Sequence, residues 1–183
     1  MKQLSFVLRF TLLSTLLAAA GIAPAADQAS VLGLVVGSAK EAELETLAAH
    51  SRARETSRET SRHTLGAIIK FDGDFGLPGL TSSTFIFAKA GYLEAAVLTL
   101  HRTRYVEIVD SLKAKYRLIE EVRPFVGNRQ ARFLSGEVEI NATSPHMSFE
   151  MSVTYTTVAF RAQLAKTAEQ EDASRKQAQG ARL

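Results

Sequence analysis

The chain has 183 residues with no Cys and no Trp, and it carries 22 basic against 19 acidic side chains. Without Cys there are no disulfides, thiolate nucleophiles or Cys-built zinc sites, so the fold must be held by its core alone. Setting aside Lys2 and Arg9 with the leader described next leaves 20 basic against 19 acidic residues, about +1, and this balance excludes the concentrated basic face that a nucleic-acid partner requires.

Residues 1–25 read as a cleaved export signal. Lys2 and Arg9 form a positive n-region, Phe10 to Ala20 an apolar stretch, and Ala23-Pro24-Ala25 an A-x-A cleavage site. The apolar stretch is shorter than the roughly 20 residues of a membrane span, and no Cys follows to take a lipid, so no stable membrane anchor is expected after cleavage. A eukaryotic secreted domain of this size would more often carry disulfides, so their absence favours a bacterial periplasm as the expected location.

In the remaining chain the hydrophobic period switches from helical to alternating and back. Ser38-Ala39-Lys40-Glu41 has the pattern of a capping box, and Leu44, Leu47 and Ala48 then share one helical face. Strands are expected at Thr64 to Phe71, Ser83 to Lys89 and Leu93 to His101, with a turn at Ala90-Gly91. A second helix follows from the i, i+3, i+4, i+7, i+11 spacing of Tyr105, Ile108, Val109, Leu112 and Tyr116. Strands recur at Arg117 to Val122, Gln130 to Leu134, Glu137 to Asn141 and Phe149 to Thr157. The last alternates, with Phe149, Met151, Val153 and Tyr155 on one face.

These elements predict an α+β domain, an antiparallel sheet with helices on one face, made of two αβββ-type halves. The domain is expected over 26–165, with halves at about 31–101 and 102–157. A charged, partly disordered tail is expected over 166–183, where hydrophobes are scarce from Glu169 onward.

Gly33-Leu34-Val35-Val36-Gly37-Ser38, leading into the Glu41 to Leu47 helix, resembles the opening of small bacterial envelope domains with helix-plus-hairpin repeats. The β-lactamase-inhibitor-protein-like group and the small lipoprotein of the outer-membrane assembly machine are of this kind. The Tyr105 to Tyr116 helix, ending in Leu112-Lys113-Ala114-Lys115-Tyr116, is similar to the helix that precedes the next strand set in many periplasmic proteins. The resemblance implies binding rather than catalysis. The chain lacks the lipid-bearing Cys of the assembly protein and the disulfides and Trp of the inhibitors, and no site residue is carried over.

Arg54-Glu55-Thr56-Ser57-Arg58-Glu59-Thr60-Ser61-Arg62 is a tandem tetrapeptide that sets Arg54, Arg58 and Arg62 on one side of a regular strand or helix, where they would grip a carboxylate-rich or phosphorylated partner. A solvated linker, neutralised by Glu55 and Glu59, accounts for the same residues. Asp72-Gly73-Asp74 opens like a calcium loop, but Gly76 and Ser83 stand where ligands are needed, so no metal site is expected. The apolar tip of that loop, Phe75, Leu77, Pro78 and Leu80, is a candidate docking point.

His50, His63, His101 and His146 are scattered among Ser82, Ser83, Ser144, Asp72 and Asp110 without a Gly-x-Ser-x-Gly elbow or a helical zinc pair. The function expected is therefore a non-enzymatic periplasmic protein that needs no cofactor and binds an envelope or secreted protein, as an inhibitor, immunity or assembly factor. The rivals are a hydrolase of cell-wall or ester substrates and a carrier of a small apolar ligand built on Phe85, Phe87, Phe149 and Tyr155. Strand alternation alone accounts for those four aromatics as core.

Overall fold

The computed structural model describes residues 28–180; the expected export signal lies outside them. A short hairpin opens the fold, β1 (Ser30–Val31) and β2 (Leu34–Val35), turning at Leu32 and Gly33, both with positive φ. Helix α1 (Glu41–Ala49) precedes β3 (Arg54–Thr60), β4 (Leu65–Asp72), β5 (Leu80–Ala88) and β6 (Leu93–His101). A single 3-10 turn leads into α2 (Tyr105–Lys115), followed by β7 (Arg117–Val122), β8 (Arg129–Ser135), β9 (Val138–Ser144) and β10 (Glu150–Thr157). The described residues end in the 23-residue helix α3 (Val158–Gly180).

The fold is thus mixed α+β and mostly antiparallel sheet. Eight strands form one sheet in the order β3-β4-β5-β6-β10-β9-β8-β7, which is symmetric about the β6–β10 pair. Each of α1 and α2 is followed by four strands. The additional strand of the first half is β3, the segment that composition reads as a linker. Its Ser, Thr and Arg residues have little to bury, and ladder hydrogen bonds to β4 set its conformation instead.

Register explains the core. Cross-strand partners share a face, so Ile69, Phe85, Ala96, Tyr155, Ile140 and Phe133 form one continuous row across six strands, and every member is buried. The next row, Lys70, Thr84, Val97, Thr154, Asn141 and Arg132, lies on the opposite face and is polar at five of six positions. Leu44 of α1 and Tyr105, Val109 and Leu112 of α2 join the core.

Three local expectations need correction. Helix α1 begins after Lys40, two residues beyond the expected cap: the Lys40 amide donates to Glu43 Oε1 at 2.9 Å, so Glu43, and not Glu41, reaches back. Phe149 precedes β10 and is exposed, because the chain turns there before the ladder begins, while Met151, Val153 and Tyr155 are buried as the alternation requires. Helix α3 continues to Gly180, past Glu169, with nearly all of its surface exposed beyond Phe160.

Candidate functional site

The expected arginine site does not assemble. A bulge between Glu55 and Ser57 interrupts the alternation of β3. Arg54 consequently pairs with Asp72 on the outward row, while Arg58 pairs with Ile69 on the core side and meets Glu41 at 3.2 Å, Glu45 at 3.1 Å and Glu55 at 3.0 Å. The hydrogen bond from Arg58 holds the Glu55 carboxyl below its ordinary value, and the same contact pushes the guanidinium upward. Arg58 is thereby committed to tying the edge strand to α1. Arg62 lies in the β3–β4 turn, beyond the far end of β3, which spans about 20 Å from Arg54 at 3.3 Å per residue.

The Phe75 to Leu80 loop sits at the Arg54 end. Its apolar side chains turn inward: Phe75 packs edge-on against Phe71 and Phe85, with ring centroids 5.3 and 6.0 Å apart, and Leu77 lies half-buried against the core. Leu80 is buried as the first residue of β5. Only Gly76 and Pro78 of this tip stand exposed, because an aromatic side chain next to a core offering two more rings is stabilised by joining them.

The histidine rings are not brought to serine hydroxyls by any hydrogen bond among the described residues. The His50 ring contacts the Thr46 carbonyl at 2.8 Å, and His146 uses its backbone amide on Asn128 Oδ1 at 2.7 Å.

What sequence reasoning missed is a cavity of about 320 Å³ between α2, the β1–β2 hairpin and the two central strands. Leu98 and Leu100 of β6 with Val153 and Tyr155 of β10 form its floor, and Ile108 and Leu112 of α2 one wall. Arg104, Glu107, Ser111 and Lys115 line its rim. The last three follow i, i+4, i+8 spacing along one edge of α2. Tyr116 closes the far end, accepting from the Ser30 amide and donating to the Ser30 carbonyl, both at 3.2 Å. Burial pushes the Tyr155 phenol well above its ordinary range, with Tyr116 adding to the effect, so it remains a neutral hydroxyl throughout the physiological range.

Two backbone features lie at the rim. Gly79, at φ +81°, lies so close to Arg104 that an added Cβ would fall 2.9 Å from its Cγ, and the arginine lies over the glycine. Arg104 Nη2 reaches Glu107 at 2.6 Å, while its Nε is buried with no hydrogen-bond partner among the described residues. Leu32, with φ 52°, occupies the left-handed region that bulky side chains normally avoid, and its side chain lines the cavity. The available signal in the sequence was Leu32-Gly33, an apolar residue in a turn that favours Asn-Gly.

The chain matches no known family model, no curated protein and no solved structure. No helix among the described residues is long and apolar enough to cross a membrane.

Proposed function

We propose that the protein is an exported, non-enzymatic binding protein that carries a small amphipathic molecule, with an apolar body and an anionic head, in the cavity beside α2. The observation that carries this reading is the cavity itself: its floor is apolar, and its rim holds two cations, Arg104 and Lys115, against one carboxylate, Glu107. Its volume lies at the lower end of the roughly 300–1,000 Å³ common for ligand sites. The architecture that creates it is two helices on one face of the sheet. Arg58, on the core-side row, pairs with Glu41 and Glu45 of α1, and Val109 and Leu112 of α2 join the same core. Helix α3 starts on the other face, where Arg161 pairs with Glu139, a residue that alternates with buried Val138 and Ile140. The gap between α2 and the β1–β2 hairpin over the central strands is where a ligand fits. The apolar, positively flanked N-terminus supports a periplasmic location.

Titration calorimetry with dodecanoate tests the reading, with dodecanol as the uncharged comparison. Saturable binding of dodecanoate, weakened roughly ten-fold or more by Ser111→Trp at the rim, is the expected result, since a bulky ring there fills the slot without entering the core. Absence of binding, or equal affinity in the variant, would remove the carrier reading. Binding of a secreted protein partner then becomes the reading to pursue.

A further inference from the structure

Five loops or turns meet at the end of the sheet where β6 finishes and β10 begins, and two of them leave large apolar side chains in solvent. In the β7–β8 loop Phe125 is 102% and Val126 67% exposed; in the β9–β10 loop Met147 is 81% and Phe149 91% exposed. Isolated exposed hydrophobes are common, but four such side chains on neighbouring loops form a patch that needs an occupant. The loops are held together. His146 N–H donates to Asn128 Oδ1 at 2.7 Å, Arg102 N–H donates to the Phe149 carbonyl at 2.8 Å, and Arg102 Nη1 donates to the Ser148 carbonyl at 3.3 Å. Met147 sits at φ 62°, a left-handed conformation in which a long side chain is costly.

Charge favours one occupant, since three arginines stand beside the tips against two carboxylates, Glu121 and the exposed Glu150 next to Phe149. Arg102, Arg123 and Arg129 flank the apolar tips, and Arg102 and Arg129 have no carboxylate partner among the described residues. The carboxylate nearest Arg123, Glu121, is already engaged at 2.8 Å by Lys113. Basic side chains beside exposed apolar ones match the layering of a membrane surface, where anionic headgroups overlie hydrocarbon. The shape of the patch agrees, because side chains standing almost entirely clear of the fold on convex tips need no complementary pocket in a bilayer, whereas protein hot spots centre on well-packed, desolvated contacts.

We propose that the β7–β8 and β9–β10 loops form a tip that docks reversibly on an anionic lipid bilayer, inserting Phe125, Val126, Met147 and Phe149 while Arg102 and Arg129 contact phosphate headgroups. This inference stands on the loops alone and does not require the cavity to hold a ligand. It also differs from anchoring: no segment spans the bilayer, and the attachment is reversible by salt.

Flotation with vesicles of equal parts phosphatidylglycerol and phosphatidylethanolamine, beside phosphatidylcholine vesicles, tests it on the purified protein. The expected result is association with the anionic vesicles only, reduced roughly ten-fold or more by Phe125→Ser with Phe149→Ser, and separately by Arg102→Gln with Arg129→Gln. Circular dichroism on each variant verifies that the fold is intact. The Arg pair also carries the salt dependence, so raising ionic strength should release the parent protein and change little in the Arg102→Gln, Arg129→Gln variant. No association of the parent protein with anionic vesicles, or equal association of folded variants, would overturn the proposal. In that event the same serine variants, used in a cross-linking experiment, would ask whether the tip meets another protein. Dodecanoate binding in calorimetry is unaffected by either outcome, so docking and carrying fail separately.

Discussion

The β3–β4 and β5–β6 turns of the first half correspond, through the symmetry of the sheet, to the β7–β8 and β9–β10 loops of the second, yet the two pairs have opposite character. The first pair is short and polar: Ser61 through Thr64, where the Ser61 hydroxyl accepts the amides of His63 and Thr64, and Lys89 through Tyr92, where Tyr92 lies beneath the Lys40 ammonium at 3.3 Å. The second pair carries Phe125, Val126, Met147 and Phe149 into solvent. One topology closes its strands with either kind of loop, so the apolar tips are not a requirement of folding. Leu65 at 60% and Tyr92 at 43% are also exposed at the first pair, but the four side chains of the second pair stand further out, which points to work done outside the fold.

The comparison is sharpened by treating an inward and an outward phenylalanine alike. Phe75→Ala removes one member of the ring cluster with Phe71 and Phe85 and should lower unfolding free energy by about 2–3 kcal/mol in urea titrations, somewhat below the range for a fully buried ring. Phe125→Ala should change the same free energy by less than about 0.5 kcal/mol, because its ring packs on nothing that unfolding would expose. A large loss in the second variant would show that the tip is structural and break the contrast.

Between these extremes stands Tyr105, buried in the core with its hydroxyl unpartnered among the described residues. Burial first, then Glu121, pushes its phenol upward, with Arg123 and Arg129 opposing. Tyr105→Phe removes an unsatisfied polar atom and keeps the ring, so thermal denaturation should register a gain of about 1 kcal/mol. The smallest expected effect is at the β3 edge. Because the folded pKa of Glu55 is depressed, its pair with Arg58 stabilises the fold above the ordinary value of 4.5 and loses that contribution as pH falls through the lower folded value. Both partners are more than a third exposed, so solvent screening limits the contribution to under about 1 kcal/mol. The melting-temperature difference between the parent and Glu55→Gln should therefore shrink in acid; a difference that widens below the ordinary carboxylate range would refute the assignment.

Periodicity made most of the sheet legible. Leu93 to His101 and Arg117 to Val122 have the observed bounds, and the inward residues of β5, β6, β9 and β10 follow from alternation. Strand β3 was not legible because it has no apolar face to alternate, and the bulge that separates Arg54 from Arg58 leaves no mark in a repeated tetrapeptide. The loops misled for a related reason. Phe75 and Phe125 both stand beside Gly and Pro, and only the presence of Phe71 and Phe85 beneath the first decides that it turns inward. The cavity escaped notice because its floor belongs to β6 and β10, strands remote in sequence that meet only through pairing.

That central pairing has a kinetic meaning. Every other ladder of the large sheet joins consecutive strands, whereas the seven residue pairs of β6 and β10 bring together positions about 50 to 60 residues apart. Each half is a meander that closes locally, and only the seam between them bears a long loop-closure cost. Two copies refolding at high concentration can form the same seam reciprocally, the β6 of each taking the β10 of the other, with no new contact needed except at the β6–α2 connection, which would open as a hinge. Size-exclusion chromatography after concentrated refolding would reveal such an exchanged dimer, and a strictly monomeric product would show that the hinge resists extension.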